Sequence, residues 1–222
     1  MDRILILDFG GQTTQLVGRR IRDFGVCSEI VPEDSDIGGI IDEGVRGIIL
    51  SGSPDSAWAA GVPAPDAIDF DCGLPVLGIC HGFHRLVLAD GGEVRHLGHR
   101  ECGRAPVNVL SDELLFDGLP REFMSWLSHG DGVTGLGDEY VPIGLSGNGA
   151  VAATRSRNRR FWGIQFHSEV SHCEHGFRLL ENGLNMWPSQ AYSHQLGFPM
   201  LTNYFEFLYR KVPDTAPNCM PQ

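Results

Sequence analysis

The chain has 222 residues, of which 42% are hydrophobic and 20% charged, and a chain of that length buries roughly 70% of the surface its unfolded form exposes. Such a composition excludes disordered, collagen-like and membrane-spanning classes. Seventeen Lys plus Arg against 28 Asp plus Glu give a net charge of −11, which argues against a phosphate-tracking grip on nucleic acid and toward a small substrate or a protein partner. The opening MDRILILD is too short and too acidic for a signal peptide, and no apolar run reaches the ~18 residues of a span, so a cytoplasmic location is expected. Six cysteines follow no framework spacing and include no CxxC pair; in a reducing compartment most are read as thiols in or near the core.

Short apolar runs alternate with longer amphipathic ones, the pattern of strand–helix units around a largely parallel sheet. Residues 3–7 (RILIL) form a continuous apolar run ending at Asp8-Phe9-Gly10-Gly11, as expected of a strand buried on both faces. From Thr13 or Thr14, Val17, Ile21 and Phe24 recur at helical spacing and Gly25 closes the run. Strand signals return at 26–31 and 45–50, the second ending in Ser51-Gly52-Ser53-Pro54. A further buried strand over 74–79 breaks at Gly78-Ile79-Cys80-His81-Gly82 into a helix with Leu86 and Val87 inward. Beyond Gly91-Gly92 the chain turns polar and Gly-rich, with strands predicted at 105–110, 141–145, 150–154 and 161–166 in a mixed or antiparallel arrangement. Near the end, Gly176-Phe177, Leu180 and Asn182 recur 21 residues later as Gly197-Phe198, Leu201 and Asn203. This is either two ordinary amphipathic helices or a local duplication. The last ten residues, with three prolines, are expected to fray.

Gly78 to Gly82 has the layout of a nucleophile elbow with sulfur in place of a serine oxygen. The turn holds Cys80 in a tight, exposed conformation at a helix N-terminus, where free N–H groups and the macrodipole favour the thiolate. Such a nucleophile needs a base that also protonates the leaving group, and the base needs an orienting acceptor. Phe166-His167-Ser168-Glu169 supplies both: two residues apart on an extended segment, His167 and Glu169 share one face. Oxyanion donors are sought at the carboxyl ends of neighbouring parallel strands, where the backbone N–H groups of Ser53 and His81 are the candidates.

Asp8-Phe9-Gly10-x-Gln12, Ser51-Gly52-x-Pro54, Gly78-Ile79-Cys80-x-Gly82, Glu101-x-Gly103-Arg104-Ala105, Ser128-His129-Gly130-Asp131 and Gly163-Ile164-Gln165-Phe166-His167-x-Glu169-Val170 together resemble the class I glutamine amidotransferases, most closely the glutaminase branch that serves GMP synthase. The resemblance implies a flavodoxin-like α/β fold, with a mostly parallel sheet and helices on both faces. It also implies one amidotransferase domain over 1–187; residues 188–222, which do not resemble the family's continuation, are read as a helical extension and tail. Cys80, His167 and Glu169 become a catalytic triad. Gly52, His84, Ser128, His129, Gly130 and Asp131 become the glutamine-binding set. The implied reaction is hydrolysis of the glutamine side-chain amide through a cysteine thioester. Its ammonia passes to a synthetase partner that carries ATP and Mg and aminates xanthosine monophosphate; neither cofactor is expected on this chain, which shows no ATP-binding motif. A different nitrogen acceptor, or a regulatory relative that no longer turns over, are the alternatives.

Several positions depart from the family pattern. Ser53 stands for Gly, His81 for Tyr, His84 for a substrate-binding Gln, Ser168 for Pro, and Gly11 and Thr13 for Ser and Tyr. His96-x-x-His99-x-x-Cys102 and the trio His172, Cys173 and His175 lack structural-zinc spacing, so no metal site is assigned. Asp34, Asp36, Asp42 and Glu43 are read as a solvated face. Arg155, Arg157, Arg159 and Arg160 are read as a charged hairpin, with a docking patch as the minority view.

Overall fold

Alternation of two apolar faces along the same strand builds the centre of the molecule. In the computed structural model, which describes residues 2–57 and 72–187, β1 (Arg3–Asp8) points Ile4 and Ile6 to one side of the sheet and Leu5 and Leu7 to the other, and all four are buried. The same division runs through β3 (Val45–Leu50) and β4 (Val76–Ile79), where Ile49, Leu77 and Ile79 join the first face and Ile48, Leu50 and Val76 the second. Because both faces are covered, these strands carry unbroken apolar runs instead of an alternating pattern.

The first face is covered by α1 (Thr14–Asp23) through Val17 and Ile21 and by α4 (Gly176–Asn185) through Leu179, Leu180 and Leu184. Phe83, Leu86 and Val87 of α3 (His81–Ala89) cover the second. Helices therefore lie on both faces, as expected. Gly25, at φ +75°, ends α1 in the left-handed conformation that glycine takes without a steric cost. Thr13 occupies the N-cap position of α1 but makes no side-chain cap bond.

Among the described residues the strands form one nine-stranded sheet in the order β2-β1-β3-β4-β9-β8-β7-β5-β6. With β2 (Cys27–Pro32), β1, β3, β4 and β9 (Phe161–Ile164) pair in parallel. The remaining strands, β8 (Val151–Ser156), β7 (Tyr140–Ser146), β5 (Glu93–Val109) and β6 (Glu122–Gly135), pair antiparallel. The change from parallel to antiparallel matches the expected mixed second half.

Three expectations are corrected in detail. β5 is far longer than 105–110, because it pairs with β6 across an irregularity between His96 and Glu101. β6 itself has no counterpart among the predicted strands; its register brings the polar Ser128 and His129 opposite Cys102 and Glu101, so tertiary pairing prevails over a sequence with few strand formers. Strand β9 stops at Ile164, short of Phe166. The short helix α2 (Ile37–Ile40), capped by the Asp36 carboxylate, and a 3₁₀ turn at Leu114–Phe116 complete the described elements. The second copy of the C-terminal repeat, at 197–203, and the final ten residues lie outside the described residues.

The arginine cluster is consumed locally, whereas Asp34, Asp36, Asp42 and Glu43 are exposed as expected of a solvated face, Asp42 binding Arg3 at 2.8 Å. Arg155 binds Glu113 at 2.6 Å, Arg159 pairs with Asp90 and sits over the Phe161 ring, and Arg157 and Arg160 donate to the carbonyls of Asp138 and Gly73. No helix among the described residues is long and apolar enough to cross a membrane.

Candidate active site

The carboxyl ends of β1, β3, β4 and β9 converge on Cys80. Leu50 ends β3, and in the next residue the Ser51 carbonyl accepts the Gly82 N–H at 3.0 Å while Ser51 Oγ lies 3.0 Å from Thr14 Oγ1 and accepts the Phe9 N–H at 3.2 Å. One buried serine thus ties together the loops after β1 and β3 and the start of α3. The first loop packs so closely that a Cβ on Gly11 would stand 2.3 Å from the Gly52 carbonyl oxygen.

Cys80 follows β4 directly and adopts φ 54° and ψ −106°, a strained conformation for a residue with a side chain. Its N–H donates to the Ile164 carbonyl at 2.7 Å and its own carbonyl accepts the His84 N–H at 3.2 Å. The strained turn is therefore pinned from the neighbouring strand and from the helix it opens. His81 begins α3, so its backbone N–H is among the first-turn donors without an acceptor inside the helix. Its ring donates from Nδ1 to the Asp55 carbonyl at 2.9 Å and packs on Phe9. Burial lowers the His81 pKa despite that acceptor.

Ser53 has a negative φ, since Cys80 and His175 are the non-glycine residues of positive φ among those described. Replacing glycine there imposes no left-handed strain, and Ser53 Oγ accepts the Asp55 N–H at 3.2 Å, closing the loop on itself.

His167 meets Cys80 from the end of β9. Its Nδ1 lies 2.7 Å from Glu169 Oε1, and Cys80 is within hydrogen-bonding reach of the same ring. Burial opposes a charge on His167, but the Glu169 carboxylate and then Cys80 outweigh it and raise its pKa well above the ordinary 6.5. Burial likewise opposes ionisation of Glu169, and His167 reverses that, leaving its pKa lowered. The pair does not sit on an extended strand as expected. β9 has ended, and Ser168 and Glu169 lie in a turn, so the chain folds Glu169 back on the ring. Arg20 of α1 donates to the Glu169 carbonyl at 3.0 Å. The His167 N–H donates to the Trp126 carbonyl of β6 at 2.9 Å, so the far edge of the sheet curls back onto the site. Gly52 adjoins His167, whose Cε1 would stand 3.5 Å from a Cβ there.

The segment Ser128 to Asp131 lies on β6, with Ser128 exposed and His129 buried. His129 Nδ1 is 2.7 Å from the Asp131 carbonyl and therefore carries the proton; Nε2 lies 3.1 Å from Glu101 Oε2. Burial lowers the His129 pKa against the pull of these acceptors. Glu101 is held in turn by Ser146 Oγ and Asn148 Nδ2, each at 2.9 Å.

Two residues of this site carry no role in the sequence reading. Gln165 donates from Nε2 to Cys80 Sγ at 3.7 Å, and Glu101 is buried beneath His129. Both fall inside motifs quoted above, but the spacing along one strand gives no hint of a partner reached across the sheet. The residues of the second His/Cys cluster diverge: Cys173 is buried against Ser125, His172 packs tilted against Trp126 and His175 meets Phe123 edge-on. His96 Nδ1 accepts the Gly98 N–H. Among the described residues no group of three or more His, Cys, Asp or Glu is arranged to hold a metal ion.

Residues 5–187 match the family model described as glutamine amidotransferase class-I. Curated relatives include the glutamine-hydrolyzing GMP synthase of Francisella philomiragia, 45% identical over 181 residues that make up 81% of this chain and 35% of the relative. That of Thermobifida fusca is 43% identical over 184 residues, 82% of this chain and 35% of the relative. The chain thus spans about a third of the length of these relatives. Among solved structures, a Thermoplasma acidophilum protein assigned to GMP synthase as one of its subunits superposes with a TM-score of 0.73 at 30% identity, covering 84% of this chain and 94% of the other. A glutamine amidotransferase from Thermotoga maritima shares the fold at TM-score 0.62 and 19% identity, covering 88% and 84%. With the elbow, the ordered motifs and these matches in agreement, the chain belongs to the class I glutamine amidotransferase family.

Proposed function

We propose that this chain is a glutaminase of GMP-synthase type, with Cys80 as nucleophile, His167 as acid and base, and Glu169 as the group that orients His167. The observation that carries the reading is Cys80 on a strained elbow, facing an imidazole whose other nitrogen rests 2.7 Å from a buried carboxylate. That carboxylate fixes the proton on Nδ1 and stabilises the imidazolium.

The Cys80 thiolate attacks the side-chain carbonyl carbon of glutamine, and the backbone N–H groups of Ser53 and His81 receive the oxyanion. Collapse of the tetrahedral adduct breaks the C–N bond as His167 gives its proton to the departing nitrogen, releasing ammonia. The raised pKa of His167 keeps that proton available at neutral pH. Water, deprotonated by His167, then cleaves the γ-glutamyl thioester and frees glutamate. Gly52 and the segment Ser128 to Asp131 form the glutamine-binding wall, with Glu101 3.1 Å beneath His129; His84, expected in that wall, is buried against Gln165 instead. Ammonia passes to an ATP- and Mg-dependent synthetase that aminates xanthosine monophosphate, in keeping with the names of the relatives.

The test is ammonia release from glutamine by wild type and Cys80→Ala, alone and with candidate synthetases, together with labelling by an electrophilic glutamine analogue. Release that needs Cys80, and label on Cys80, are expected. Absence of both under every condition overturns the reading. A second customer for the ammonia is the alternative, because this chain spans about a third of the relatives whose names carry the acceptor. Supplying xanthosine monophosphate and other acceptors to the reconstituted complex separates the two.

A further inference from the structure

His84 stands where the family pattern has a glutamine, and it is almost completely buried. Its Nε2 lies 2.7 Å from Gln165 Oε1, and Gln165 Nε2 in turn faces Cys80 Sγ at 3.7 Å. Three side chains therefore form a line from α3, across the end of β9, to the nucleophile. We propose that His84 is a positioning residue: its Nε2–H holds the Gln165 amide in the one orientation that aims an N–H donor at the Cys80 sulfur. This rests on the reading of Cys80 as nucleophile and adds Gln165 to His167 as a second polar neighbour of its sulfur.

The orientation follows from what each atom can do. A carbonyl oxygen only accepts, so Nε2 of His84 must carry a proton for the 2.7 Å contact to be a bond. The amide NH₂ is then left for the sulfur. Were the amide turned over, its oxygen lone pairs would face a thiolate, which repels them. Burial drives the His84 pKa down to about 4, so the ring is neutral at the pH of turnover. His84 thus directs a proton donor without adding a charge that would compete with His167. His81 on the same helix, and His129 and Asp131 of β6, also act electrostatically on His84, while His167 and Gln165 face Cys80. A glutamine at position 84 can offer the same N–H through its own amide.

The experiment is the rate of Cys80 carbamidomethylation by iodoacetamide, followed by mass spectrometry of the Cys80 peptide from acid to alkaline pH, in wild type, His84→Leu, His84→Gln and Gln165→Leu. Losing one hydrogen bond to the thiolate is expected to slow alkylation near neutral pH about five-fold in His84→Leu and Gln165→Leu and to displace their profiles toward higher pH. His84→Gln is expected to keep the wild-type profile. Wild-type behaviour of Gln165→Leu overturns the proposal, as does His84→Gln as slow as Gln165→Leu; these two variants decide it even if His84→Leu fails to fold. Because alkylation needs no glutamine turnover, a wild type that neither releases ammonia nor takes the glutamine-analogue label under any condition refutes the glutaminase reading and leaves this series readable.

Discussion

Gly78 and Gly82 face each other across the turn that carries Cys80, and a Cβ on Gly78 would stand 2.6 Å from the Gly82 carbonyl oxygen and 2.7 Å from the Phe83 nitrogen. Gly82 is as crowded on its other side, where a Cβ would come within 2.3 Å of the Leu50 carbonyl oxygen. The two glycines let β4, α3 and the end of β3 approach at backbone distance, and that approach shapes the turn in which Cys80 sits buried instead of exposed as expected.

Gly78→Ala therefore forces backbone against backbone, with no flexible side chain to yield. Overpacking of this kind costs about 2 kcal/mol, and relaxation displaces the elbow. A lowered urea midpoint together with loss of Cys80-dependent ammonia release is the expected result. Full activity in a variant of unchanged stability would show that the turn tolerates a methyl group and that its shape does not set the nucleophile.

Cys80 itself holds stored strain, at φ 54° and ψ −106°. Backbone strain of this type costs about 1–3 kcal/mol, whereas placing glycine in the unfolded chain costs about 0.5–1 kcal/mol in entropy. Relief of strain is the larger effect. Cys80→Gly is expected to be more stable than Cys80→Ala by about 1 kcal/mol, both being inactive. Equal urea midpoints, or a less stable glycine variant, would mean that the elbow stores no strain at this position.

Much of this is readable from the residues alone, because the parallel half of the sheet announces itself through runs such as RILIL and the elbow through glycines flanking a cysteine. What escapes such reading depends on contacts made across the sheet. β6 carries Ser128, His129, Gly130 and Gly132, a poor strand former by composition, and becomes a strand because β5 supplies its ladder. Gln165 looks like one more residue of a motif until the fold sets it between His84 and Cys80. The extended spacing expected for His167 and Glu169 yields the right pair by the wrong geometry, since the turn after Ile164 does what strand alternation was expected to do.

His84 predicts an acid sensitivity of folding. Its pKa falls from 6.5 to about 4 in the folded chain because burial disfavours the charged ring. The stability linked to the neutral ring is complete above pH 6.5 and is lost as pH falls toward 4, where the unfolded chain binds a proton that the folded chain refuses. A difference of that size corresponds to about 3 kcal/mol at the acid end. His84→Gln has no such group, so its unfolding free energy should fall less than that of wild type over this range. Parallel stability curves for the two proteins would show that the site accepts the charged ring.

The His167–Glu169 pair has a pH signature of its own. Glu169 has a lowered pKa, so its contribution is present above the ordinary carboxylate value of 4.5 and is lost as pH falls through its folded value. His167 has a raised pKa, so its contribution is complete below 6.5 and is lost as pH rises through its folded value. Both are fully present only between these limits. Glu169→Gln keeps the shape of the side chain and the Arg20 bond to the backbone carbonyl but removes the charge, leaving a buried imidazole without its counter-ion. Breaking a buried pair in this way costs about 3 kcal/mol. The stability difference between wild type and Glu169→Gln, measured by urea unfolding across the pH range, should therefore peak between about pH 4.5 and 6.5 and shrink on both sides. A difference that stays level above neutral pH would mean that His167 carries no proton in the folded chain, and the imidazole could then not serve as the acid that releases ammonia.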